Sequence, residues 1–160
     1  RMGAAGRALA RTDGPRLAAL ALDGWDAHSR DSRLGARLRS LDAGLGALER
    51  ALGPAFGETA VLVLGDFGRG LALNAFGGTD HGAGTVAFLA GGATAGGAIR
   101  ADWPGLAGRP SLPVTTDVRA LIKGVLHAHL GLPEGVIEDD LLPGSRSVRM
   151  LEGLRRVSVA

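Results

Sequence analysis

Leu34, Leu38, Leu41, Leu45, Leu48 and Leu52 follow one another at steps of four and three residues. That period lines six leucines along one face of an α-helix and fits no strand. Gly53-Pro54 ends the helix, and Asp31 or Ser32 is its expected N-cap. A stripe of this length must be covered by other apolar elements, and three runs offer themselves. Leu17 to Leu22 is a short apolar run stopped by Asp23-Gly24 and predicts a buried strand. Thr59 to Gly65 predicts a second strand, apolar on both faces as a parallel strand is, and the leucine face is expected to pack beside it. Thr85 to Gly92 predicts a third. From Thr116 a second helix carries Val118, Leu121, Ile122, Val125 and Leu126 on one side, with Thr115 or Thr116 capping it and Asp117 in its first turn. Strands alternating with helices give an α/β fold, a layered sheet with flanking helices. The opening residues 1–16 read as the end of a preceding helix or a linker, and residues 145–160 as a loosely held tail.

Composition narrows the chemistry. The 160 residues include no cysteine, so disulfides, thiolate nucleophiles and Cys-ligated zinc are excluded; any metal must be held by His and carboxylate. Of the 18 basic residues only Lys123 is lysine, and the arginines are scattered rather than gathered with aromatics. With 4% aromatic residues and no tyrosine, the chain lacks a stacking platform for nucleic acid. No apolar run reaches the ~18 residues of a membrane span.

Chemistry-bearing residues gather where the apolar runs end. The first run leads into "DGWDAH", where Asp26 and His28, two apart, point the same way in extended chain and make half of a metal site. The second leads into "GDFGRG", with Asp66 and, close behind, Arg69. "GGTDHG" then adds Asp80 and His81 in a glycine-rich loop, just before the third run. Three acid-bearing loops, two with histidine, would converge on one edge of the sheet. Each also has a plainer reading: Asp26 and His28 in a polar loop with Trp25 tucked into the core, Asp66 as a turn former with Arg69 in a surface salt bridge, and His81 bonded to the backbone of a tight turn. His127 and His129, two apart on a helix, face different ways.

The order of these motifs carries a resemblance. "GWDAH", the leucine helix, "DFGR", "GGTDHG", "FLAGG", "DWPGL" and "LPVTTDVRA" together resemble the sulfatase-like family catalogued as domain of unknown function 1501, within the alkaline phosphatase superfamily. The resemblance implies that residues 17–144 are the C-terminal part of a sulfatase-like domain. It implies a metal-dependent hydrolase of small anionic phosphate or sulfate esters, periplasmic or exported. It assigns Asp26 and His28 to one metal ion, Asp66 to another and His81 to completing the site, with zinc or manganese as the ion. Asp80 would orient an imidazole, and Arg69 would grip substrate oxygens as a planar fork. Two departures stand out. Asp66 replaces the glutamate of the family's E-F-G-R, and the N-terminal half that carries the Ser/Thr nucleophile has no counterpart here. The alternative expectation is therefore a truncated or degenerate relative acting as a binding or structural module.

Overall fold

The leucine helix forms as its spacing predicts. In the computed structural model, which describes residues 1–30 and 33–156, α1 spans Met2–Leu9 and α2 Leu34–Leu52. Asp31 and Ser32, the expected caps of α2, lie outside the described residues. Only the C-terminal half of the stripe is covered, with Leu48 and Leu52 buried while Leu34 and Leu38 stand half exposed. The principal partner of α2 is α1 rather than a strand. Gly6 of α1 makes this possible, because a Cβ there would stand 2.8 Å from the Ala51 methyl and 2.9 Å from the Leu48 carbonyl oxygen. Helices meeting at backbone distance in this way need a residue with no side chain at the crossing.

After a 3₁₀ segment, Gly53–Glu58, come the short strands β1 Val61–Val63, β2 Gly68–Arg69, β3 His81–Gly82 and β4 Phe88–Ala90. They pair as two antiparallel ribbons, β1 with β4 and β2 with β3. The mixed α/β character stands, but a single layered sheet does not. Thr59 to Gly65 and Thr85 to Gly92 contain strands that run against each other, not in parallel, with Val61 opposite Ala90 and Val63 opposite Phe88. An apolar run reports burial and not direction, so both pairings satisfy it. Leu17 to Leu22 is no strand. The segment takes no regular secondary structure, has no ladder partner among the described residues, and leaves Leu17 58% exposed. The third rail beside β2 and β3 is 110–112 instead: Leu71 N donates to Pro110 O and Gly84 N to Leu112 O.

The second helix, α3, spans Val118–Leu130. Its cap is Asp117, whose carboxylate accepts from Arg119 N, and not Thr115 or Thr116. After Gly131, α4 spans Glu134–Val136 and a π-turn follows at Ile137–Leu141. Residues 145–156 are bonded back rather than loose. Leu151 N donates to Ala120 O, Ala95 N to Leu154 O and Arg156 N to Ala93 O. Ile137, Leu154, Ala120 and Ala93 form the core there. No helix among the described residues is long and apolar enough to cross a membrane.

Candidate metal centre

Two backbone arrangements bring the centre together. The first is the β2–β3 ribbon, whose register sets Arg69 opposite His81. Directly opposed residues share a face, so the guanidinium and the imidazole lie side by side. Phe67, two residues before Arg69, stacks on the His81 ring at 4.1 Å between centroids, 12° from parallel. The second is the close approach of 76–78 to 28–30, where Arg30 N donates to Phe76 O and Ser29 bridges to Gly77. Gly78 permits it, since a Cβ there would stand 2.5 Å from the His28 carbonyl oxygen. The glycines of "GGTDHG" thus earn their place by letting one loop lie backbone-on-backbone against another.

Three donor atoms meet as a result. His81 Nε2 is 2.7 Å and His28 Nε2 2.8 Å from Asp26 Oδ1, and the two imidazole nitrogens are 3.2 Å apart. Ligands about 2.0–2.2 Å from one ion, at angles between 90° and tetrahedral, stand roughly 2.8–3.6 Å from one another. The observed separations run from just below that range to its middle, so seating an ion needs only a small opening around Asp26 Oδ1. Among the described residues no other three His, Asp or Glu side chains converge in this way. The three side chains are 61, 43 and 47% exposed for Asp26, His28 and His81, leaving room for further ligands from solution.

Asp80 stands behind the centre. Its Oδ1 lies 3.3 Å from His28 Nδ1, and with the proton on Nδ1 the ring donates to Asp80 and turns the Nε2 lone pair towards Asp26 and His81. A carboxylate facing Nδ1 favours the tautomer a metal requires, whereas Asp26 Oδ1, 2.8 Å from Nε2, favours the opposite one in the metal-free ring. The hydrogen bond from His81, helped by the nearby imidazoles, holds the Asp26 carboxyl below the usual carboxylate range. Asp80 is likewise lowered, first by the bond it accepts from Asn74 and then by that from His28.

Arg69 lies beside the centre and bonds chiefly to backbone. Its Nη1 donates to Ala27 O and Thr79 O at 2.8 and 2.9 Å and its Nη2 to Trp25 O at 2.8 Å, while Nη2 stands 3.7 Å from Asp26 Oδ1. The guanidinium joins the two ligand-bearing segments to each other. Asp66 sits in an exposed bend before β2 and does not join the group of three. Neither does His127 or His129. Asn74, which the sequence reading passed over, donates through Nδ2 to both His28 O and Asp80 Oδ1 at 3.0 Å. Its only sequence signal is its place as a turn-forming residue ahead of Gly77-Gly78.

Residues 4–136 match the family described as "Protein of unknown function (DUF1501)". The chain belongs to this family. The DUF1501 match runs from within α1 to the end of α4 and so contains Asp26, His28, Asn74, Asp80 and His81. No curated protein and no solved structure matches the chain.

Proposed function

We propose that the chain carries the metal-holding part of a hydrolase of phosphate or sulfate esters, with the sulfatase-like architecture that its motif order suggests. The observation that carries this reading is the convergence of Asp26 Oδ1, His28 Nε2 and His81 Nε2 within one ion's reach. One carboxylate and two neutral imidazoles suit zinc or manganese, and three protein ligands with an open face are the pattern of a catalytic rather than a structural site. When bound, such an ion supplies Lewis-acid charge at the ester oxygens. The chain's own residues bind and orient: Asp26 contributes the anionic ligand, Asp80 sets the His28 tautomer, and Phe67 holds the plane of the His81 ring. Arg69, with three of its N–H groups on backbone carbonyls, keeps the 25–28 and 79–81 segments in register.

One observation favours a second reading, in which the chain holds the ion without turning over an ester. Among the described residues no Ser or Thr hydroxyl hydrogen-bonds to Asp26, His28 or His81, and covalent catalysis in this chemistry needs an attacking group held at the site. An assay of aryl phosphate and aryl sulfate side by side separates the two. The first reading predicts slow turnover that needs added zinc or manganese, stops on chelation and disappears in His81→Ala. Stoichiometric metal binding with no turnover of either ester would select the second.

A further inference from the structure

Asn74 spends every polar atom of its amide group on the centre's framework. Its Oδ1 accepts from Phe76 N and Gly78 N, both at 3.0 Å, closing the turn that leads into "GGTDHG". Its Nδ2 donates in the other direction, to His28 O and to Asp80 Oδ1. The same Asp80 oxygen faces His28 Nδ1. A single amide thus touches the His28 backbone on one side and the carboxylate that faces the His28 ring on the other.

We infer that Asn74 is a positioning residue that acts on His28 through Asp80, holding the carboxylate where it fixes the ring with Nδ1 protonated and Nε2 free. The inference rests on the metal-centre reading for its purpose, though the contact chain itself exists without an ion. An amide nitrogen suits this role where a carboxylate would not, because it donates to two acceptors that both belong to the His28–Asp80 pair. The acceptor half of the amide explains the turn alone; the donor half has no role in the turn and is aimed only at His28 and Asp80.

The test separates turn from positioning. Asn74→Ser retains an oxygen able to cap the turn and lacks the nitrogen that reaches Asp80. Zinc affinity by calorimetry is expected to fall about 10–100-fold, as for other partners behind a metal ligand, with thermal unfolding close to that of the parent. Asp80→Ala is expected to lose a similar factor, and adding Asn74→Ser to it should lose little more, since the two act in series. A serine variant that binds zinc like the parent, or losses that multiply in the double variant, would overturn the inference. Nitrogen-15 shifts of the His28 ring in metal-free protein, taken on an Asp26→Ala background that removes the carboxylate 2.8 Å from Nε2, give a readout independent of zinc. One tautomer in that background and a mixture once Asn74→Ser is added supports the inference even if zinc binding, and with it the metal reading, fails; an unchanged tautomer overturns it.

Discussion

His28 and His81 present the same ring nitrogen to each other across Asp26, so the centre depends on single atoms rather than on a broad surface. Asp26→Asn keeps the shape and one acceptor oxygen but removes the charge; zinc affinity, measured by calorimetry, should fall further than the roughly 10–100-fold typical of an outer partner. Asp80→Asn, by contrast, should stay within that range. The depressed Asp26 carboxyl, bonded by His81, stays ionised in mildly acidic solution. At this scale much of the site was legible. The two-residue spacing of Asp26 and His28 and the Asp-His pair in its glycine bed both pointed to the residues that meet. What spacing could not reveal was the register of β2 on β3. That register delivers Phe67 and Arg69 to His81, while Asp66 stays in the bend before the strand. Asn74 was illegible for a related reason: its amide nitrogen's partners, Asp80 and His28, lie six and 46 residues away, and only the folded backbone brings them together.

The elements show which part of a sequence pattern a fold can use. With about 1.5 Å of rise per residue, α1 at 8 residues can cover less than half of α2 at 19, and the covered half is the one holding Leu48 and Leu52. Leu52→Ala should therefore cost about 2–5 kcal/mol in a denaturant titration, and Leu38→Ala within about 0.5 kcal/mol. The six-leucine pattern specified the helix, but not how far its partner would reach. The cap of α3 gives a second prediction. Asp117 is held at about 2, against an ordinary 3.8, chiefly by its side-chain bond with Arg119. A carboxyl depressed in the folded state stabilises above its unfolded value and loses that contribution as pH falls through the folded one. Asp117→Ala should cost about 1 kcal/mol near neutrality. The gap between parent and Asp117→Asn should narrow as pH is lowered from 4 towards 2, read by helical circular dichroism across a denaturant series.

Across the whole molecule, the largest departure from the sequence reading lies at the C-terminal end. The face of α3 that is buried comprises Ala120, Lys123 and Gly124, not the branched residues of its apolar side. Small residues allow 151–154 to close on the helix, and Lys123, the chain's single lysine, is fully buried there. Its ammonium pairs with Glu138 and donates to Val148 O at 2.7 Å and Ser145 O at 3.3 Å, joining α3 to the π-turn and to the segment behind it. A hydropathy pattern reads lysine as solvated, so this anchor was hidden. Lys123→Ala should cost about 3–5 kcal/mol by leaving Glu138 without its partner, while zinc binding at the proposed centre, built from other segments, should match the parent's in whatever fraction remains folded. The claim on which the functional account stands is that Asp26, His28 and His81 hold one divalent ion. X-ray absorption on the zinc-loaded chain tests it most directly. The account predicts one zinc per chain, ligated by two imidazole nitrogens and a carboxylate oxygen, with one imidazole missing from any zinc retained by His81→Ala. Non-saturating binding, or a zinc shell unchanged by that substitution, would contradict it.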